Sequence, residues 1–282
     1  MPGTLYVVAT PIGNLEDITA RALRVLREVA LIAAEDTRRT AHLLARYAIT
    51  TPTTSLHEHN ETRKTPALIG RLTKGEHVAL VSDAGTPLIS DPGQHLVRAA
   101  IAAGIRIEPI PGPSAVMAAL AASGFSTETF TFLGFPPTRS KDRIQWLKKL
   151  GDTHPTAVFF EAPHRIRATL EQILATIGDC PVVVCRELTK IHETLVRGPI
   201  STVLQAVEDT RGELTVVIEL GLKTNNIEPK ILTDTDLANE LGHLTHTTAV
   251  SRRKAINILA RRHNRTPNEI YDAIERGKKL VK

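Results

Sequence analysis

The 282-residue sequence contains only two cysteines and few aromatic residues. Cys180 and Cys185 lie in or beside one predicted strand, which would place them on opposite sides and roughly 16 Å apart. A disulfide needs Cα atoms within about 7 Å, so the two cannot be joined within that strand. We therefore expect free thiols and a cytoplasmic location. Aromatic residues make up 4% of the chain, which disfavours an extended base-stacking platform.

Long apolar runs and several common catalytic motifs are also missing. No charge-free apolar run reaches the ~18 residues of a membrane span, and residues 1–4 do not begin a signal peptide. We accordingly expect no membrane partner. The sequence also lacks GxxxxGK[ST], GxGxxG after the first strand, HExxH and GxSxG. These absences disfavour ATP-driven phosphoryl transfer, Rossmann-type dehydrogenation and serine hydrolysis.

The pattern of apolar residues predicts an α/β protein with three parts. Strands and helices alternate over residues 1–125, which is typical of a layered lobe whose sheet is at least partly parallel. Residues 126–222 predict a second α/β lobe with four strands in a mixed sheet. Residues 223–282 predict a linker followed by two short helices, which resemble a helix-turn-helix unit. A capping box at 266–269 begins the second of these helices.

The positive charge of the chain is concentrated in its last part. Residues 248–282 contain 10 Lys or Arg and 3 Asp or Glu, whereas the rest of the chain is nearly neutral. A basic segment attached to a neutral body favours a polyanionic partner such as RNA. The alternative is a solvated helix surface without a partner.

The segment VSDAGTPLISDPG, residues 81–93, is the most informative stretch of the sequence. It follows an apolar strand, and Gly85 would let the bare backbone approach a ligand. Asp83 and Asp91 are its only charged residues, which suits a small, partly cationic ligand. The pattern also predicts that Asp91 caps a helix over 94–103, with proline at the first helical position and Gly104 beyond the end.

Four loops that follow predicted strands carry suggestive residues and should share one cleft, because ligands of open α/β sheets bind at that edge. These loops are residues 10–14, 35–38, 82–93 and 111–115.

Seven spaced motifs resemble one known family. They are ATPIGNLEDIT (9–19), AAEDTRRT (33–40), HEHNE (57–61), VSDAGTPLISDPG (81–93), PGPSA (111–115), FFEAPHR (159–165) and RELTKIHE (186–193). In this order they are similar to the bacterial ribosomal RNA small subunit methyltransferase I family, which belongs to the tetrapyrrole methylase superfamily. The match covers nearly all of residues 4–220, and the basic tail resembles the small C-terminal helical domain of that family.

The resemblance implies a two-lobed, class III S-adenosylmethionine methyltransferase fold with the cofactor in a cleft between the lobes. It also implies a homodimer that methylates the ribose 2′-hydroxyl of a cytidine in the decoding region of 16S ribosomal RNA, in the 30S subunit. Two alternatives stay open: a tetrapyrrole C-methyltransferase acting on a small molecule, and a non-catalytic RNA-binding factor in ribosome assembly.

The resemblance also suggests which residues bind S-adenosylmethionine. Ala84 to Pro87 replaces the GGDP turn of the superfamily, so a carboxylate is missing there, and Asp83 or Asp91 is the expected substitute. The predicted cofactor-binding residues are Pro11, Asp83, Ala84, Gly85, Thr86, Ile89, Asp91, Ser114, Ala115 and Phe160.

A ribose hydroxyl is a weak nucleophile, so a general base would assist methylation. The candidates are Glu35, Asp36, His59 and Glu161, of which we favour Asp36 and Glu161 because each follows a predicted strand at the cleft edge. Glu161 stands where tetrapyrrole enzymes tend to have methionine, which favours hydroxyl chemistry over a porphyrin-like substrate. His57 and His59 could suggest a metal pair, but no third ligand is evident nearby beyond Glu58 and Glu61, so we expect no metal. The alternative is an RNA-facing or structural loop.

Overall fold

The computed structural model describes residues 1–152, 155–207, 212–220, 234, 237, 241, 252–262 and 266–280. The chain forms two compact units, Met1–Lys223 and Thr224–Lys282. Within the described residues, no helix has both the length and the apolar character needed to cross a membrane.

The first sheet of the larger unit is entirely parallel, with the strand order β3-β2-β4-β1-β5. Its central strands are continuous apolar runs because helices cover both faces, as is usual for parallel sheets. The strands are β1 Thr4–Val8, β2 Leu31–Ala34, β3 Thr53–Ser55, β4 Val78–Val81 and β5 Arg106–Ile110. The helices are α1 Ala20–Glu28, α2 Thr37–Arg46, α3 Glu61–Thr73, α4 Gln94–Ala102 and α5 Ala115–Ser123.

Alternate residues of these strands supply two separate cores. Ile32 and Ala34 of β2 pack with α1 and α2, whereas Leu31 and Ala33 pack with α3 and α4. The helix α5 is different, because its buried side chains contact the second sheet instead. This helix therefore joins the carboxyl edge of the first sheet to the face of the second.

The second sheet is mixed, as predicted, but it contains five strands rather than four. Its order is β6-β7-β10-β8-β9, with β6 and β7 parallel and the other pairs antiparallel. The strands are β6 Phe130–Phe132, β7 Thr156–Glu161, β8 Pro181–Arg186, β9 Thr194–Pro199 and β10 Leu214–Glu219. The helices are α6 Ser140–Gly151, α7 Pro163–Thr176 and α8 Ile200–Ala206.

The strand that sequence analysis missed, β9, lies at an edge of this sheet. It contains arginine, glycine and proline and has no buried residue, so it lacks the apolar pattern of a central strand. All strands of the first sheet lie within residues 1–125 and all strands of the second within 126–222. The boundaries of the lobes themselves remain our prediction.

The prediction for the two cysteines is confirmed. Cys180 packs in the core with α6 to α8, whereas Cys185 packs on the other face of the sheet against α5. Both thiols are free and buried, and burial raises the pKa of each to about 11. They are therefore neutral at physiological pH.

The predicted range of α4, residues 94–103, agrees with the structure to within one residue, but its predicted N-cap and its predicted proline at the first helical position are wrong. The helix begins at Gln94, and its N-cap is Gly93 with φ +123° rather than Asp91. The backbone N–H groups of His95 and Leu96 donate to Oε1 of Glu61, at 2.6 and 3.1 Å. Because a buried carboxylate from α3 caps the helix, Asp91 is not needed for that purpose. The prediction that Gly104 follows the end of the helix is confirmed.

The smaller unit contains α9 Arg252–Arg262 and α10 Pro267–Leu280. The predicted capping box is confirmed, since the Thr266 N–H donates to Glu269 Oε2 at 2.7 Å and the Glu269 N–H donates to Thr266 Oγ1 at 3.3 Å. Apolar residues of both helices form its core. The predicted linker at 223–226 lies outside the described residues.

Candidate active site

A cavity of about 410 Å³ lies where the carboxyl edge of the first sheet meets the second sheet. Its volume falls within the usual range for small-molecule sites, about 300–1,000 Å³. Most of the predicted site residues line it: Glu35, Asp83, Ala84, Gly85, Thr86, Ile89, Asp91, Ser114, Ala115, Phe160 and Glu161. Pro11, Asp36 and His59 lie outside this lining.

The turn after β4 forms one wall of the cavity and is tied to the loop after β1. The N–H of Thr10 donates to the Gly85 carbonyl at 2.8 Å, and the Gly85 N–H donates back to the Thr10 carbonyl at 3.0 Å. Gly85 has φ +81°, which glycine adopts without strain. Leu88 and Ser90 have φ +74° and +67°, a conformation that costs such residues about 1–2 kcal/mol. Strain of this kind is concentrated at ligand sites.

Three of the carboxylates that line the cavity, those of Glu35, Asp83 and Asp91, come from the loops after β2 and β4. The Asp83 N–H donates to Glu35 Oε2 at 3.2 Å, and the Asp36 N–H donates to Asp83 Oδ1 at 3.0 Å. Arg39 lies 3.4 Å from the other oxygen of Asp83. The loops after β2 and β4 are thus interlocked through Asp83, while Glu35 and Asp91 face the cavity.

Two of these carboxylates bind protons more readily than usual. Burial raises the pKa of Glu35. The hydrogen bond from the Asp83 N–H lowers this pKa, whereas the negative charge of Asp83 raises it, and the net shift is upward. Burial raises the pKa of Asp91 to about 6, with a hydrogen bond from Ser82 opposing it and the charges of Glu35 and Asp83 adding to it. Carboxylates with raised pKa values in a cleft are well suited to accept protons near neutral pH.

Asp36, one of the two favoured candidates, has a local role at the start of α2. Its carboxylate accepts hydrogen bonds from the Arg38 backbone N–H, Nε and Nη2, at 2.9, 3.1 and 2.8 Å. The side-chain hydrogen bond from Arg38 lowers the pKa of Asp36 to about 2. A carboxylate with so low a pKa is a weak base at neutral pH.

Glu161, the other favoured candidate, lines the cavity but is only 1% exposed. Its Oε1 accepts from the Ala162 N–H at 2.8 Å and lies 3.2 Å from Arg165 Nε. Its Oε2 accepts from the Thr169 hydroxyl at 2.5 Å. Both oxygens are therefore engaged by neighbouring groups of the protein.

The remaining two predicted residues are placed differently. His59 lies in the turn before α3, where its ring meets that of His57 edge to face at 6.1 Å. Among the residues with described positions, no cluster of three metal-binding side chains occurs. Pro11 directly precedes Ile12, whose side chain lines the cavity.

Sequence analysis missed part of the lining. Ile12, Arg39 and Ser90 stand inside the quoted motifs, so the motifs themselves could have indicated them. Phe135 and residues 213–215 have no such signal, because the second sheet brings them to the cavity. In that sheet Leu214 pairs with Glu161, which places the start of β10 at the cavity.

Comparison with known proteins agrees with this architecture. The family of tetrapyrrole (corrin/porphyrin) methylases matches residues 4–204. Among solved structures, a uroporphyrin-III-C-methyltransferase from Thermus thermophilus has a TM-score of 0.56 and 20% identity, over 77% of this chain and 94% of that one. A diphthine synthase has a TM-score of 0.62 and 16% identity, over 77% and 90%. These similarities confirm the predicted fold.

Several similar curated proteins share one name, ribosomal RNA small subunit methyltransferase I. The protein from Pasteurella multocida is 44% identical over 278 residues, covering 96% of both chains. That from Haemophilus influenzae is 42% identical over 279 residues, again covering 96% of both. That from Escherichia coli O157:H7 is 47% identical over 222 residues, covering 77% of this chain and 78% of the relative. This chain belongs to the ribosomal RNA small subunit methyltransferase I family, within the tetrapyrrole methylases.

Proposed function

We propose that this protein is an S-adenosylmethionine-dependent enzyme that methylates the ribose 2′-hydroxyl of a cytidine in the decoding region of 16S ribosomal RNA. The names of its relatives support ribosomal RNA as the substrate, and the alignment with two of them spans 96% of the chain. The observation that carries the chemistry is the pair of proton-binding carboxylates, Glu35 and Asp91, facing a cavity of suitable size.

The residues of the cavity fit S-adenosylmethionine. The cofactor has cationic groups, which carboxylates attract, and an adenosine that needs a small, partly apolar slot. Gly85 leaves its wall of the cavity without a side chain, and its φ of +81° is a conformation that favours glycine. We propose that residues 83–86, Ile89, Ser114, Ala115 and Phe160 hold the cofactor, with Asp91 beside its positive charge. When bound, the cofactor supplies a methyl group on a cationic sulfur.

Of the four candidate bases, we favour Glu35. It lines the cavity, its pKa is raised, and its N–H donor Asp83 engages Oε2 rather than Oε1. Glu35 would take the proton from the acceptor hydroxyl and so raise the nucleophilicity of that oxygen. We propose that Asp36 positions the loop after β2 and that Glu161 positions the opposite wall, through the hydrogen bonds described above. We assign His59 no contact with the reacting groups.

The basic helical unit should contribute RNA affinity. Ten of its residues between 248 and 282 are Lys or Arg, and phosphate contacts by such residues dominate non-specific binding. The substrate and the chemistry together suggest that the enzyme acts in the cytoplasm, on the 30S subunit.

A homodimer is also part of the proposal. Helix α5 contains only Ala, Val, Met, Leu and Ser, yet its Met117 is 56% exposed. A helix that is apolar on all sides is normally buried. We propose that a second copy covers Met117, and that Met117→Glu converts the dimer to a monomer in light scattering.

The central experiment compares 16S ribosomal RNA from cells with and without the gene by mass mapping of methylated nucleotides. One 2′-O-methylcytidine in the decoding region should disappear with the gene and return on complementation. Purified protein should also methylate 30S subunits from the deletion strain. Methylation of uroporphyrinogen instead would indicate a tetrapyrrole enzyme, and failure to bind S-adenosylmethionine in calorimetry would indicate a non-catalytic factor.

A further inference from the structure

Phe135 is an aromatic side chain that lines the cavity and is nevertheless 55% exposed. Its ring rests against Phe160, with ring centroids 5.3 Å apart, and Phe160 in turn meets Phe132 at 5.0 Å. One aromatic ring is therefore supported from within the protein by two others. Its exposed part is available to a group that arrives from solvent.

The backbone on either side of Phe135 is held firmly. Gly134 turns the chain with φ +62°, and prolines follow at 136 and 137. Arg165 donates to the carbonyl of Pro136 at 2.5 Å, and Arg143 donates to the carbonyl of Pro137 at 3.1 Å. A ring held in this way loses little conformational entropy when a partner binds to it.

The two arginines are themselves fixed by buried groups. Glu161 pairs with Arg165 at 3.2 Å, and the Thr169 hydroxyl accepts from Arg143 at 2.7 Å. That same hydroxyl donates to Glu161, so the four side chains form one network. The network explains why both oxygens of Glu161 are engaged: they hold the segment that carries Phe135.

Cationic side chains follow the aromatic ring closely along the chain. Arg139 and Lys141 are both exposed, and neither forms an ion pair within the part of the chain that the structure describes. An exposed ring followed by exposed cations is the combination that binds single-stranded RNA, by base stacking and phosphate contacts.

We propose that Phe135 is the stacking platform for the base of the acceptor nucleotide, and that Arg139 and Lys141 bind its flanking phosphates. The inference rests on the proposed function and adds a base subsite to it. A nucleotide whose ribose enters the cavity brings its base to the rim, and an aromatic face there can stack on that base. The cofactor is the less suitable occupant, because Phe135 is 55% exposed as a residue.

The test uses Phe135→Ala and Phe135→Trp on 30S subunits from the deletion strain, with Phe130→Ala as the matched control. Phe130 is 37% exposed and does not line the cavity. Stacking contributes about 1–3 kcal/mol per base, which corresponds to a loss of about 5- to 150-fold in kcat/KM for the alanine variant. Phe130→Ala should stay within about twofold of the unsubstituted protein, and Phe135→Trp, which keeps an aromatic face, should lose less activity than Phe135→Ala.

Two further measurements separate stacking from other roles. Calorimetry should give the same Kd for S-adenosylmethionine with and without the ring, and light scattering should give the same mass. In filter binding of 30S subunits, Arg139→Ala with Lys141→Ala should reduce the slope of log affinity against log salt by about 1 to 2.

The inference is overturned if Phe135→Ala keeps its activity within twofold, weakens cofactor binding tenfold or changes the oligomeric state. These results would assign the ring to no ligand, to the cofactor or to a second copy, respectively. An unchanged salt slope in the double variant would overturn the phosphate contacts. If the unsubstituted protein does not methylate 30S subunits at all, the proposed function fails instead.

Discussion

Replacing Asp91 by asparagine should stabilise the protein at neutral pH while weakening cofactor binding. The carboxyl group lies beside Glu35 and Asp83 and is partly buried, so its charged form is disfavoured in the folded state. Asparagine resembles the protonated acid and avoids that cost. Functional residues often lower stability in this way.

The magnitude follows from the pKa of Asp91, which rises from 3.8 to about 6 on folding. Each pKa unit corresponds to about 1.4 kcal/mol, so the full pKa change would alter the free energy of unfolding by about 3 kcal/mol. Because the group is only partly buried, solvent screening reduces this value. We expect the substitution to raise the free energy of unfolding by about 1 to 1.5 kcal/mol at pH 7.5.

The pH dependence has a definite sign. Between pH 3.8 and 6 the folded state binds the proton and the unfolded state does not, so this group makes stability fall as the pH rises. The difference in the free energy of unfolding between the variant and the unsubstituted protein should therefore be small near pH 4 and reach its full value above pH 7. Urea denaturation followed by circular dichroism at several pH values measures it. Calorimetry should show a Kd for S-adenosylmethionine about tenfold higher or more, because a charged partner is lost.

Asp17→Asn provides the control, because Asp17 is exposed and lies outside the cavity. It should change stability by less than about 0.5 kcal/mol at any pH. The reasoning fails if Asp91→Asn lowers stability at pH 7.5, or if its effect is the same at pH 4 and pH 7.5.

Three further predictions concern two positions of the framework and the basic segment. Glu61→Gln removes the charge that caps α4 and should lower the free energy of unfolding, measured in urea, by about 1–2 kcal/mol. The control Glu58→Gln, at an exposed position, should have almost no effect. Equal effects of the two substitutions would contradict the capping role. Gly13→Ala would place its Cβ 2.7 Å from a backbone oxygen and should lower the free energy of unfolding, measured by thermal unfolding, by about 1–3 kcal/mol. Gly70→Ala, where the added Cβ meets nothing within 4 Å, should be neutral or stabilising. Deleting residues 224–282 should weaken RNA binding and flatten its salt dependence; an unchanged slope in filter binding would argue against RNA contact.

Much of the fold could be predicted because its central strands carry an unambiguous pattern. The predicted strand over residues 31–34 has the observed bounds, since four apolar residues between turns can only be buried. Edge strands β3 and β9 could not be predicted, because they are polar or irregular and form only by pairing with a neighbour.

The site could be predicted to the level of loops but not of individual roles. Asp83, Gly85 and Asp91 were placed correctly at the cavity, because parallel strands end at the same edge. The roles of Asp36 and Glu161 depend on Arg38 of α2 and on Arg165 and Thr169 of α7. Sequence order shows that a carboxylate follows a strand, but not which donors will surround it.

Because of the position of β10, the two sheets can be completed at different times during synthesis. Every strand of the first sheet has been made once residue 110 leaves the ribosome, and its parallel pairing can then be complete. The second sheet must wait for residues 214–219, because β10 lies between β7 and β8 and pairs with both. At about 5–20 residues per second, roughly 5 to 20 seconds separate these events. Until then α5 lacks its contact with Val217 of β10 and the cavity lacks residues 212–215, so the nascent chain acquires its cavity only when nearly all of the larger unit has been translated.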